Sequence, residues 1–190
     1  QGEVLASPEG AHSVHALVQG LSPGFQYHYR FEAGGQRSPV GRTRTAPAAD
    51  ARPQRLRLAL ASCQHYEQGH FTVHRDIARA DVDLVLFAGD YIYTSRKPGY
   101  QRVRDHLHHM PAGRTLADYR VHHAGYKLDA DLRACHAAHP WLMIWDDHEV
   151  ISDHTGQWAP GIEEAQSFLA VRTAAYRAYF EHLPLSPQRA

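Results

Sequence analysis

The run Val82 to Ala88 (VDLVLFA) limits what this chain can become more than any other feature. A short, almost continuously apolar run bounded by polar residues suits a strand of a parallel sheet covered on both faces by helices. Two similar runs flank it, Leu56 to Ala61 before and Trp141 to Trp145 (WLMIW) after. The stretches between them change period. Phe71 to Ala80 reads as a helix, and Thr115 to His136 has helical spacing with Leu116, Tyr119, His123 and Tyr126 on one side. Ile162 to Glu181 is a long amphipathic pattern whose stripe is Ala165, Phe168, Leu169, Tyr176, Tyr179 and Phe180. The order β-α-β-α-β-α predicts a layered α/β domain. Right-handed crossovers then bring all three strand C-termini to one sheet edge, where open α/β sheets bind ligands.

The chain before this pattern is different. Ser13 to Gln19 alternates loosely, and Gly20 to Gly24 is a turn cluster. Phe25 to Ala33 has the period of a strand, with Tyr27, Tyr29 and Phe31 on one face, and Gly34-Gly35 ends it. A further strand is expected around Val40 to Thr45. Three short strands are too few for a sandwich, so residues 1–47 read as the C-terminal part of a β-sandwich or, alternatively, as a β-ribbon packed on the next domain. Residues 48–55 read as a linker, and 56–190 as the α/β domain.

Composition excludes several functions. Formal net charge is zero, so there is no broad electrostatic footprint for nucleic acid or an anionic membrane. No apolar run approaches a membrane span, and Gln1 to Pro8 has no export-signal pattern. Two cysteines, Cys63 and Cys135, are too few for a disulfide scaffold and too far apart for a zinc knuckle. Sixteen histidines are many, but richness in His is weak evidence by itself.

The chemistry gathers where the strands end. The first runs into Ser62-Cys63-Gln64-His65, the second into Gly89-Asp90-Tyr91-Ile92-Tyr93, the third into Asp146-Asp147-His148-Glu149. One Asp after a strand is more often a helix cap than a ligand. Three such endings on one edge supply compact negative charge for hard or borderline cations. Two cations sharing a carboxylate can polarise a phosphate ester and ionise a bound water.

The block Leu116 to Val150 (LADYRVHHAGYKLDADLRACHAAHPWLMIWDDHEV), with ASCQ at Ala61 to Gln64 and GDYIY at Gly89 to Tyr93, resembles the PhoD-like alkaline phosphatase family of the calcineurin-like metallophosphoesterase superfamily. The segments GLSPGFQYHYRF and SPVGRTRTAP are similar to the end of that family's N-terminal immunoglobulin-like domain. The resemblance implies a metallophosphoesterase-type layered α/β domain, incomplete here, after the end of an immunoglobulin-like β-sandwich. It implies hydrolysis of phosphate mono- and diesters and an extracytoplasmic location. By the same resemblance Asp90 bridges two metal ions, and Tyr93 binds the redox-type ion, as in the related purple acid phosphatases. Cys63 stands where most of the superfamily has the first Asp of a D-x-H motif. Asp147 stands at the Asn of GNHE and is a second-site ligand candidate. His148 is the candidate catalytic residue, giving a hydrogen bond or proton near the leaving group. Fe(III) beside Cys63 and Tyr93, with Ca(II) at the neighbouring site, is the implied metal pair.

Other readings stand beside these. Cys63 also reads as a small buried residue, Tyr93 as a packing aromatic, and Asp146 as a residue that caps or orients its neighbours. Asp153 and His154 are expected near the site or in solvated loop, and Asp118 and Arg120 in an ion pair supporting a helix or in contact with substrate. His106, His108 and His109 are expected in an exposed loop before Pro111. No glycine-histidine motif follows His154, so both ends look cut and this piece is expected to lack ligands supplied by later loops. The alternatives in function are a non-catalytic metal- or partner-binding domain, and a calcineurin-like phosphoesterase of another kind with two similar divalent ions.

Overall fold

The computed structural model describes residues 1–94, 102–104 and 114–185. The expected histidine group His106, His108 and His109 lies outside them. The Phe25 to Ala33 pattern is interrupted. β1 (Gln26–Tyr29) pairs antiparallel with β4 (Gly41–Arg44), whereas β2 (Glu32–Ala33) and β3 (Gln36–Arg37) form a separate hairpin. The Gly34-Gly35 turn of that hairpin has φ of 55° and 76°, the left-handed geometry a two-residue hairpin needs. Ser13 to Gln19 forms no strand. Among the described residues these ribbons do not make a sandwich. They lean on the α/β part instead: Arg42 Nε donates to Ala138 O at 2.8 Å, and Arg44 pairs with Asp83 at 2.7 Å.

β5 (Leu58–Ala61), β6 (Leu84–Ala88) and β7 (Trp141–Ile144) form a three-stranded parallel sheet in the order β5-β6-β7. α1 (Thr72–Arg79) joins the first two strands. The expected single helix from Thr115 to His136 is two, α2 (Leu116–Tyr126) and α3 (Ala130–Ala138). The break is written locally: the Asp129 side chain accepts from Leu132 N at 2.9 Å and caps α3 afresh. α2 starts on a capping box made by Thr115 and Asp118.

One face of the sheet is covered. Val85, Phe87 and Trp141 are buried on it, His74 of α1 packs against Phe87 and Trp141, and His136 of α3 stacks on Trp141 at 3.9 Å between ring centres. No helix among the described residues covers the other face, where Leu58, Leu60, Leu142 and Ile144 are exposed. Among those residues the expectation of strands covered on both faces is met on one face only. The strand order explains why: two right-handed crossovers stepping in the same direction place their helices on the same side.

α4 (Ala165–His182) packs on α2, and Trp145 lies against its Tyr176, Tyr179 and Phe180. Its buried stripe is Phe168, Val171, Ala175, Ala178 and Tyr179, while Ala165 is exposed, so the face is rotated from the expected one. Asp118 and Arg120 do not pair with each other. Arg120 forms a forked pair with Glu181 of α4, at 2.7 Å to each carboxylate oxygen.

Candidate metal centre

The three strand-end loops do converge. Cys63 N donates to Gly89 O at 3.1 Å and Gln64 N to Asp90 O at 3.2 Å, which prolongs the β5–β6 ladder past the strands. Gly89 has φ of 87°, and a Cβ there would sit 2.6 Å from the Asp146 Cβ. Only glycine lets the second and third loops approach this closely. Cys63 and Asp90 also have left-handed backbones, with φ of 57° and 58°. Such conformations cost about 1–2 kcal/mol each for L-residues and gather at functional sites.

Asp90 is buried at the centre. Its Oδ2 accepts the Tyr93 hydroxyl at 2.9 Å, and its Oδ1 accepts His148 N at 3.3 Å. Carboxylate oxygens of Asp90 and Asp147 and a ring nitrogen of His148 all lie within 4.8 Å of one another. Asp147 Oδ2 also accepts Asp153 N. The Tyr93 ring lies between two imidazoles, 4.6 Å from His65 and 4.1 Å from His148 between ring centres. Burial pushes the Tyr93 phenol above its usual range, and the Asp90 bond and the Cys63 thiol beside it push the same way.

Of the residues expected in the site, Asp90, Asp147 and His148 form one cluster and Tyr93 is bonded to it. Cys63 is exposed and outside the cluster, in contact with it through Tyr93. Asp146 Oδ1 accepts Asp147 N at 3.0 Å. Asp153 touches the site through its backbone. His154 lies against Phe168, and neither of its ring nitrogens has a hydrogen-bond partner among the described residues.

The donor set fits a hard or borderline cation. Two carboxylates converge with an imidazole whose buried Nδ1 has no hydrogen-bond partner among the described residues. No Lys or Arg forms an ion pair with these acids among those residues.

Three supports have little or no signature in the sequence. Tyr126, buried in α2, accepts Tyr66 N at 3.2 Å and Tyr93 N at 3.0 Å through its hydroxyl, tying the first loop to the second. Gln64 donates to Tyr91 O at 3.0 Å and is hydrogen-bonded to His74 at 2.7 Å. Glu149, wholly buried, is surrounded by the backbone N–H groups of Asp90, Tyr91 and Asp146. Burial lifts its carboxyl to about 7, against the pull of those N–H groups. The only linear signal for Glu149 is its place at the end of the acidic run; nothing linear points to Tyr126.

Known proteins and protein families resemble this chain. The model of the PhoD-like phosphatase family matches residues 58–190, and that of the PhoD-like phosphatase N-terminal domain matches residues 1–47. Alkaline phosphatase D of Bacillus subtilis (strain 168) is 42% identical over 187 residues, 97% of this chain and 32% of that protein. A solved structure described as "Structure of PhoD" superposes with a TM-score of 0.90 at 43% identity, covering 98% of this chain and 36% of that one. The chain thus spans about a third of the length of the relatives it matches.

Proposed function

This chain belongs to the PhoD-like phosphatase family, and from that premise we propose that it carries the first part of the metal centre of a phosphate-ester hydrolase acting on mono- and diesters. The observation that carries the reading is the convergence of Asp90, Asp147 and His148 from two separate strand ends. Asp90 would be shared between two ions, with Asp147 as a ligand of one. Tyr93 and Cys63, which adjoin each other, would complete the donors to the other. A phenolate and a thiolate favour ferric iron there, and the carboxylate-rich side suits calcium. When bound, such ions polarise a phosphoryl oxygen and make bound water acidic enough to act as nucleophile near neutral pH.

The chain's own residues do the rest. The Tyr93 hydroxyl donates to Asp90 Oδ2, and its proton would have to leave for the phenol oxygen to serve as an anionic ligand. His148 packs its ring against Tyr93 and its backbone N–H donates to Asp90, which supports the role of its imidazole as the group that would donate to the leaving oxygen of an ester.

Residues 1–47 are proposed as the end of an N-terminal immunoglobulin-like domain, 48–55 as a linker and 56–190 as part of the phosphatase domain, a division supported by the two family models. An extracytoplasmic location is proposed from family membership. No helix among the described residues is long and apolar enough to cross a membrane.

The test is the metal content of the purified chain beside Asp90→Asn. Iron with calcium in the parent, both lost in the variant, supports the reading and leads directly to assays of phosphodiester hydrolysis. A metal-free parent overturns it for this chain. Tyr93→Phe should abolish any visible charge-transfer band, and a band that persists refutes Tyr93 as an iron ligand.

A further inference from the structure

Glu149 is a wholly buried acid beside the Asp90, Asp147 and His148 cluster. Its relative exposure is 0%, and no cation pairs with it among the described residues. One oxygen accepts Asp90 N at 3.1 Å and Asp146 N at 2.8 Å; the other accepts Tyr91 N. A buried carboxyl group that accepts three backbone N–H groups is held tightly, because no water competes for those bonds.

The three donors do not belong to one turn. Asp90 and Tyr91 lie in the loop after β6, whereas Asp146 lies in the loop after β7. A helix cap or Asx-type turn would serve neighbouring amides of one segment. This carboxylate joins two segments almost 60 residues apart, with |i−j| of 59 and 58 to Asp90 and Tyr91. It does so at the residues that set the cluster's spacing. Asp90 supplies a ligand oxygen from a left-handed backbone, and Asp147 directly follows the bonded Asp146 amide.

We propose that Glu149 is a positioning residue for the metal centre, fixing the distance between the Asp90 and Asp147 carboxylates by clasping the backbone of both loops. The inference rests on the reading of the cluster as a metal centre. Glu149 is not among the residues whose ligand atoms cluster, and both of its oxygens accept backbone N–H groups. Glu149→Gln keeps the length and shape of the side chain but turns one acceptor into an NH2 that faces backbone donors. One side of the clasp is then lost. Outer-shell partners of this kind typically alter metal affinity by about 10- to 100-fold when substituted.

The experiment measures iron and calcium affinity by chelator competition for the parent chain, Glu149→Gln and Asp90→Asn, with near-ultraviolet circular dichroism as the control for folding. The expected result is tight binding in the parent and none in Asp90→Asn. Glu149→Gln should show an affinity about 10- to 100-fold weaker and a displaced charge-transfer band, with its dichroism unchanged. Parent-like affinity and band in folded Glu149→Gln overturn the clasp while leaving the metal reading intact. A parent that binds no metal overturns both. If Glu149→Gln does not fold, hydrogen exchange on the unsubstituted chain decides. Common slow exchange of the Asp90, Tyr91 and Asp146 amides supports the clasp, and exchange at the unstructured rate overturns it.

Discussion

His123 should make this fold sensitive to acid, and replacing it with Phe should remove that sensitivity. The imidazole is wholly buried between α2 and α4, lying parallel to His182 at 5.5 Å and within about ring-packing distance of Tyr91 and Tyr179. Neither ring nitrogen has a hydrogen-bond partner among the described residues. Burial holds its pKa well below the ordinary 6.5, and Lys127, His182 and His122 add to the effect. Below pH 6.5 the unfolded chain therefore takes a proton that the folded chain refuses, and stability is lost as the pH falls. Each further unit below 6.5 costs at most about 1.4 kcal/mol, the limit for one proton bound by the unfolded chain alone. The assay is urea unfolding followed by tryptophan fluorescence at about pH 7.5 and about pH 5 for the parent and His123→Phe. The parent should lose more stability than the variant between the two conditions. The variant should be at least as stable at the higher pH, because two unpartnered nitrogens leave an apolar site. Glu149, lifted to about 7, acts in the opposite sense in both proteins and cancels in the difference. An equal loss in both, with a variant that is weaker at the higher pH, would show the His123 nitrogens to be satisfied and refute the argument.

Other substitutions have expected outcomes of their own. Gly89→Ala combines a positive φ with a Cβ 2.6 Å from Asp146; denaturant unfolding should register a loss of about 2–4 kcal/mol. Tyr126→Phe leaves the Tyr66 and Tyr93 amides without their acceptor and should cost about 1–3 kcal/mol by the same measurement. Arg120→Ala removes a forked, half-buried pair with Glu181 that ties α2 to α4. The expected loss is about 1–2 kcal/mol, reduced in high salt, and a salt-independent loss would count against an ionic origin.

How much of this is legible in linear order depends on the range of the interaction concerned. Each parallel strand is legible to within about two residues because β5, β6 and β7 are apolar against polar flanks. The site is legible by the same logic: Asp90, Asp147 and His148 follow strands, and parallel strands end on one edge. The split between α2 and α3 is also local, since Asp129 can cap a helix, but the apolar spacing across it reads as continuous and outweighs that signal. Which sheet face the described helices cover is not readable from periodicity, because β6 is equally apolar on its covered and its half-buried side.

Local chemistry alone determined that this chain builds parallel strands that end in residue types able to ligate metals, because strand periodicity and residue type are properties of neighbours in sequence. Tertiary structure decided which of those side chains meet. It brought Asp90, Asp147 and His148 together, left Cys63 exposed beside Tyr93, rotated the buried face of α4, and gave Glu149 and Tyr126 their partners in other loops. The physical reason is that a hydrogen bond is fixed by angstroms in space, and these cross-loop partners lie 33 to 60 residues apart along the chain.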